Sequence, residues 1–413
     1  MMALQNPRTL LAINCGSWSL KFGAAQASLD TGEVRMLATG LIGGIGGEAE
    51  IRFREEGGGD QRSTAEVADH ADATRIVLDW LSGRPFLASG HFDAIGHRIV
   101  HGGDRFKGPA VVTPDLLADI ESLRDLAPLH NGPSLAAIRA AQEFSGPSTL
   151  TIATFDTAFH RNMPEYAVQY PIPLEMALRH GIRRFGFHGL AHEHMMERYS
   201  AITKRPKDSV RLITLQLGSG CSAAAISQGQ SIDTSMGLTP LEGLMMGTRC
   251  GDIDPTIPGF LASQEGVDIE HVENVLNMRS GLLGISGRSQ DVRELLSAEA
   301  AGDARAGLAL DMFCYRVRKY IGAYLAALGG ADAIIFSGGI GENSPEIRAR
   351  ICTGLEWCGI RIDESRNRRG QKERRISSDA SSIEVWVLHS EEVALILRDT
   401  LRCLQATAVS AET

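Results

Sequence analysis

Two arginines stand where no charged helix face explains them. Arg98 closes an apolar run in GHRIVHGG (96–103), and Arg249 lies in MMGTRCGDIDP (245–255), both beside glycines. A guanidinium offers a planar fork of donors that grips carboxylate or phosphoryl oxygens at two points, although a structural ion pair uses the same fork. The candidate acids are Asp156 in TFDTAFH, Asp233 in SIDTSMG, Asp252 and Asp254 in GDIDP, and the pair Glu391-Glu392 in LHSEEVALIL. Asp156 follows a strand-like run, a usual place for an acid that holds a metal or orients a water in α/β folds. Glu391 and Glu392 open a helix, where favourable placement at its N-terminus is the competing explanation.

Glycines supply the other half of such a chemistry. In LQLGSGCSAAAISQGQSIDTSMG (215–237) two glycines flank Ser219. Bare backbone there can cradle a phosphate. Gly218-x-Gly220-x-x-Ala223 also fits a relaxed dinucleotide fingerprint, and a plain hairpin turn is the third reading. The fingerprint must open a helix, and the β-leaning residues after Gly220 argue against that. FSGGIGENS (336–344) reads as a second glycine turn between strand and helix, suited to an anion or a nucleotide. His188, His192 and His194 crowd one segment, but a zinc reading lacks both a third ligand and the HExxH glutamate. His188, in a glycine-flanked turn, better suits donating a hydrogen bond to a developing anion.

Positioning these residues calls for alternating strands and helices. TLLAINCG (9–16) and SLKFGAAQA (19–27) read as strands across a tight turn, as do HFDAIGHRIVHGG (91–103) and STLTIATFDTAF (148–159). DMFCYRVRKYIGAYLAALGG (311–330) is helical and ends on two glycines; it feeds the strand DAIIFSGG, after which Ser344 and Pro345 open another helix. Ile13-Asn14-Cys15-Gly16-Ser17 can be laid over Leu215-Gln216-Leu217-Gly218-Ser219, as apolar, amide, any residue, Gly, Ser. A repeat at that distance predicts two similar domains.

The chain's 413 residues suit two domains of about 200 each. A net charge of −9 argues against nucleic acid or an anionic membrane surface as a partner. No run approaches the roughly 18 apolar residues of a membrane span, and the first residues lack the zones of a signal peptide. Seven scattered cysteines without a C-x-x-C predict free thiols in the cytoplasm.

At these residues the chain resembles the acetate kinase family, of the acetate and sugar kinase, Hsp70 and actin superfamily. The resemblance runs through NCGSWSLKF (14–22), GHRIVHGG, LAPLHNGPS (126–134), FDTAFHRNMP (155–164) and RRFGFHGLAH (183–192). It continues in DTSMGLTPLEGLMMGTRCGDIDP (233–255), SGLLGISGRSQDVREL (280–295), FSGGIGENS and SEEVALI (390–396). It implies an α/β fold of two duplicated actin-like (ribonuclease H-like) domains, each a mixed β-sheet flanked by helices, facing across a nucleotide-binding cleft. The first domain would be 1–155 plus 387–413, and the second, 156–386, would bind adenosine and form a homodimer. The implied reaction is acetate + ATP ⇌ acetyl phosphate + ADP, by direct in-line transfer with Mg²⁺, or Mn²⁺ in its stead.

The resemblance also assigns roles. Asn14, Ser17, Ser19 and Lys21 fall in the first phosphate turn, and Gln216, Gly218, Ser219 and Gly220 in the second. Arg98 and Arg249 would hold the carboxylate and the transferring phosphoryl group, with His188 stabilising the transition state. Asp156 and Glu391 would place the metal and orient the nucleophile, with Asn14 also at the metal. Asp291, Val292 and Arg293, with Gly339, Ile340, Gly341, Glu342 and Asn343, fall where the family holds adenosine. Val100, Leu129, Phe187 and Pro240 map to the acyl pocket, and Val at position 100 resembles enzymes that prefer acetate. Three departures stand out: Gln216 and Ser219 where the family writes H-x-G-N-G, Trp18 where it writes G-S-S-S, and Leu190-Ala191 where it writes T-S. If a histidine at 216 stabilises phosphoryl charge, the exchange costs roughly 1–3 kcal/mol in the transition state.

Overall fold

The computed structural model describes residues 7–87, 90–124, 127–370 and 373–412. Its contacts divide the chain into two compact units, residues 1–158 with 391–413, and residues 159–390.

The first unit is built on one sheet of eight strands. These are β1 (Pro7–Cys15), β2 (Ser19–Ser28), β3 (Val34–Gly43), β4 (Gly47–Glu55), β5 (Asp60–Val67), β6 (Ala94–Ile99), β7 (Ala110–Val111) and β8 (Leu150–Phe155). Their order is β5-β4-β3-β2-β1-β6-β8-β7, with β1, β6 and β8 parallel and the others antiparallel to their neighbours. β4 alternates buried and exposed residues, as a strand with one wet face must, whereas every residue of β6 is buried. The helix Glu392–Glu412 packs across β1 and β6. It comes close because Gly96 has no Cβ: one there would collide with Thr400 and Ile396.

The second unit carries β9 (Arg211–Leu217), β10 (Cys221–Ser227), β11 (Gln230–Thr234), β12 (Ala333–Ser337), β13 (Arg374–Arg375) and β14 (Glu384–Val387), in the order β11-β10-β9-β12-β14-β13. Three antiparallel strands followed by two parallel ones, β11-β10-β9 then β12 and β14, repeat the arrangement β3-β2-β1 then β6 and β8 of the first sheet. Both sheets are mixed and flanked by helices, the α/β class expected. The five-residue repeat marks the first hairpin of each, β1–β2 and β9–β10.

Two elements differ in extent from the sequence reading. The long helix begins at Ala304, because Asp303 caps it by accepting from the backbone N–H groups of Arg305 and Ala306; Gly329 ends it in the left-handed region. GGIGEN, expected as a turn, is a short helix, Gly338–Asn343, running into a second helix, Pro345–Cys352, that Ser344 caps. Among the described residues, no helix is long and apolar enough to cross a membrane.

Candidate active-site residues

In the first unit, three parallel strands end side by side and bring together residues far apart in sequence. Asn14 lies near the end of β1, Arg98 near the end of β6, and Asp156 just past β8. All three are buried. Arg98 donates from Nε to Asp156 Oδ1 at 3.0 Å and from Nη2 to Oδ2 at 2.5 Å, a two-point grip. Its Nη1 reaches Asn14 Oδ1 at 3.1 Å and Glu392 Oε2 at 3.2 Å, and Asn14 Nδ2 donates to that same Glu392 oxygen at 2.5 Å. Burial works against the Arg98 charge, but Asp156 and Glu392 more than offset it and its pKa lies above the ordinary arginine value.

Of the two adjacent glutamates, Glu392 is the one seen to touch Asn14 and Arg98, and Glu391 is exposed. Glu391 precedes the helix Glu392–Glu412, and Glu392 is its first residue, beside the strand ends.

The β1–β2 turn sits beside this cluster. Gly16 N–H closes it on Ser19 O at 2.8 Å, and the buried His70 ring donates from Nε2 to Gly16 O at 2.8 Å. Ser17 Oγ meets His130 Nε2 at 3.2 Å. Lys21 and Trp18 are exposed; Trp18 O accepts from the N–H groups of Gly44 and Ile45, which fixes its backbone and leaves the ring in water. Val100 is buried. The Leu129 side chain lies outside the described residues.

In the second unit, the β9–β10 turn is bridged by Gly218 N–H to Gly220 O at 3.1 Å. It is a hairpin turn with no helix following, which removes the dinucleotide fingerprint. A Cβ added at Gly220 would stand 3.5 Å from the Cε1 and Nε2 atoms of His188 and 3.7 Å from Arg249 Nη1. Gly220 is thus the point where these two side chains converge. His188 has φ of 57°, a left-handed conformation rare for a side-chain-bearing residue, and Ser222 Oγ meets its Nδ1 at 2.9 Å. Arg249 donates from Nη1 to Pro240 O at 3.2 Å. Burial is the main influence on Arg249 and holds its pKa below the ordinary value.

The segment 233–255 that carries Arg249 is clamped from beneath by a residue the sequence reading did not single out. Arg184 Nη1 donates to the carbonyls of Thr234, Ser235 and Met236 at 3.1–3.2 Å, and its Nη2 to Glu242 Oε1 at 2.5 Å. Tyr170 OH donates to the other Glu242 oxygen. A Cβ on Gly237 would displace the ends of Glu242 and Tyr170, and one on Gly251, at φ of 68°, would collide with the carbonyls of Gly243 and Leu244, so Gly251 must be glycine. Asp252 accepts from Gly243 N–H at 2.8 Å and from Tyr320 OH at 2.7 Å; Asp254 accepts from Thr256. Both acids shape the loop. Asp233 is half-buried, and burial raises its pKa above the ordinary carboxylate value.

Cys221, next to Gly220, is a buried thiol pushed up to about 12 by desolvation, and Cys15 in the first unit likewise, so neither offers a thiolate nucleophile. Gln216 Oε1 is buried without a hydrogen-bond partner among the described residues, opposite Ser222 on β10 and Ser337 on β12. Phe187 and Pro240 are buried.

Asp291 and Arg293 line a cavity of about 600 Å³ with Arg288, Glu294, Ser297, Ala298 and Ala301. Asp291 caps the helix Val292–Ala300 and pairs with Arg293, while Val292 is buried. In the short helix, Gly339 and Asn343 are exposed and Ile340 is half-buried, whereas Gly341 is buried. Glu342 is spent internally: Oε1 accepts from Ser337 Oγ and the N–H groups of Gly338 and Ser390, and Oε2 meets His389 Nδ1 at 2.5 Å. The other end rests on Arg348, fully buried, which donates to Gly341 O, Glu342 O and both oxygens of Asn367. Burial, then Arg374, lowers its pKa to about 10.

The model of the Acetokinase family matches residues 9–398. The acetate kinase of Chloroherpeton thalassium is 44% identical over 411 residues, covering 96% of this chain and 99% of its own. That of Solibacter usitatus is 46% identical over 405 residues, covering 96% and 98%. Among solved structures, Porphyromonas gingivalis acetate kinase superposes with a TM-score of 0.86 at 37% identity, covering 96% of this chain and 100% of its own. A propionate kinase from Francisella tularensis superposes with a TM-score of 0.87 at 37% identity, covering 96% and 99%. Because that match spans nearly the whole chain, strand-end cluster, glycine turns and clamp included, the chain belongs to the Acetokinase family.

Proposed function

We infer that this protein is an ATP-dependent acetate kinase, catalysing acetate + ATP ⇌ acetyl phosphate + ADP. The observation that carries the reading is the family match over residues 9–398, at full length of its relatives. A carboxylate is already nucleophilic at neutral pH, so the reaction asks for alignment and charge neutralisation rather than a strong base. In the proposed assignment Asp156 holds Arg98 in its two-point grip, and Arg98 turns a remaining Nη2 N–H towards the acyl carboxylate. Arg249 and His188, converging at Gly220, neutralise charge on the transferring phosphoryl group. Within the second unit, the β9–β10 glycine turn receives phosphate, and the cavity at Asp291 and Arg293 takes adenosine.

The donors at the ends of β1 and β8 suit Mg²⁺ or Mn²⁺. Asn14, Asp156 and Glu392 offer hard oxygens, and a Mg²⁺ that keeps waters and phosphate oxygens needs only one or two carboxylates. When bound, the ion would supply positive charge to offset that of the phosphates. Glu392 takes this place in preference to its neighbour Glu391, because it is the carboxylate that touches Asn14.

Acetate is the preferred acid, on the ground that the family resemblance puts Val100, a buried residue here, in the acyl pocket, where a valine goes with acetate. One extra methylene discriminates by about 1–3 kcal/mol, so propionate is turned over more slowly and not excluded. Trapping the acyl phosphate as hydroxamate, with Mg-ATP and acetate, propionate or butyrate side by side, tests this. Turnover in the order acetate, propionate, butyrate is expected; propionate ahead of acetate would move the protein to the propionate kinases, and no turnover with any acid would overturn the reading.

We also propose a homodimer built through the second unit. The segment 166–178 exposes Tyr166, Ile172, Leu174, Met176 and Leu178, a larger apolar display than a monomer's surface needs. Light scattering on the eluting protein should give twice the 44.4 kDa chain mass; the single mass would refute the dimer. Seven free cysteines suit the reducing cytoplasm, where ATP is at hand.

A further inference from the structure

Behind His188 runs a line of buried side chains to which the reaction as described gives no part. Ser222 Oγ lies 2.9 Å from His188 Nδ1 and 2.7 Å from His192 Nε2; His192 Nδ1 lies 2.7 Å from Thr214 Oγ1. Ser222, His192 and Thr214 are fully buried. They belong to three elements, the strands β9 and β10 and the helix Gly189–Thr203, so the line is anchored to the sheet and to the helix that His188 precedes.

Counting protons limits what this line can be. Burial, with the imidazoles of His160 and His188 nearby, holds the His192 pKa well below its ordinary value, so His192 is neutral and carries one ring N–H. Ser222 has one hydroxyl hydrogen and stands between two imidazole nitrogens. Those two nitrogens are the only partners of its Oγ among the described residues, so its buried hydrogen is satisfied only when it donates to one of them and accepts from the other. The line has two self-consistent directions. In one, Thr214 O–H donates to His192 Nδ1, His192 Nε2–H donates to Ser222, and Ser222 O–H donates to His188 Nδ1. A neutral His188 then carries its proton on Nε2, at the ring edge beside Gly220. In the other direction His188 Nδ1–H is the donor, and a neutral His188 turns a lone pair towards that edge. A phosphoryl oxygen arriving there is repelled by a lone pair and held by an N–H.

We propose that Ser222 and His192 are positioning residues that run in the first direction, fixing the His188 ring and keeping its proton on Nε2, aimed at the glycine turn. This rests on the assignment of His188 to the phosphoryl group. The arrangement gives His188 a hydrogen-bond donor while it remains neutral, in the way that a second partner on the far nitrogen sets the tautomer of a working histidine.

Imidazole ¹⁵N chemical shifts of histidine-labelled protein test this directly, with His188→Ala to assign the signal. The wild-type protein should show His188 as the Nε2–H tautomer near neutral pH. Ser222→Ala should mix the tautomers and lower kcat about 10–100-fold while KM for acetate changes little. His192→Gln, whose amide N–H can still donate to Ser222, should keep most of the activity, and His192→Phe should lose it. A wild-type His188 protonated on Nδ1 overturns the proposal whatever the variants do. So does a folded Ser222→Ala protein with unchanged tautomer and kcat. Should His188→Ala itself keep full activity, the assignment of His188 fails, and the tautomer measurement still judges the relay.

Discussion

Arg98→Met and Asp156→Leu should each lose both activity and stability, while the double variant regains stability and stays inactive. The two side chains are buried and share two short hydrogen bonds, so removing one leaves the other's charge in a dry place. Breaking such a pair costs about 3–5 kcal/mol, whereas replacing both members with apolar groups is close to neutral. Asp156→Leu should fall at the lower end, because Glu392 still touches Arg98 Nη1 at 3.2 Å. Activity follows a different rule. If Arg98 aligns the acyl carboxylate and Asp156 aligns Arg98, each single variant and the double should lose about 10²–10³-fold in kcat/KM, without adding. Urea denaturation and hydroxamate kinetics on the three proteins give the two cycles. A double variant that recovered activity along with stability would make the pair merely structural.

Replacing Arg249 should separate the two properties the other way. Burial opposes its charge, so the folded protein gains little from that charge when no ligand is bound. Arg249→Gln should therefore unfold at a urea concentration equal to or above that of the parent, as residues held for function at the expense of stability commonly do. Its kcat should drop about 10³-fold, the scale of one preorganised donor lost from a transition state. Arg249→Lys should not rescue it: an ammonium lacks the planar fork, and the Nη1 contact with Pro240 O at 3.2 Å fixes how the guanidinium lies. A large fall in stability with modest loss of rate would place Arg249 among the loop's structural residues, beside Arg184.

What the sequence determined by itself is local. Apolar runs ending in Gly16 and Gly218 mark the two hairpin turns, because a bare backbone beside a buried strand has few other uses. Their five matching positions anticipate the repeated strand order of the two sheets. The long helix ending at Gly329 is equally plain, its apolar residues recurring at helical spacing up to a left-handed glycine. What the sequence left to the tertiary structure is every choice made by a distant partner. Which of two adjacent glutamates enters the cluster depends on how the C-terminal helix lies on β1 and β6, 378 residues from Asn14 and 294 from Arg98. GGIGEN becomes a helix because Glu342 ties down its first N–H and Arg348 its last carbonyls. Arg184 looks like any surface cation until three consecutive carbonyls close over it. Ser222 and His192 are 30 residues apart, and nothing in either local pattern foretells a shared hydrogen bond. Short-range sterics and burial decide where strands and turns fall; the partners of buried polar groups are decided only when packing removes the water that would otherwise satisfy them.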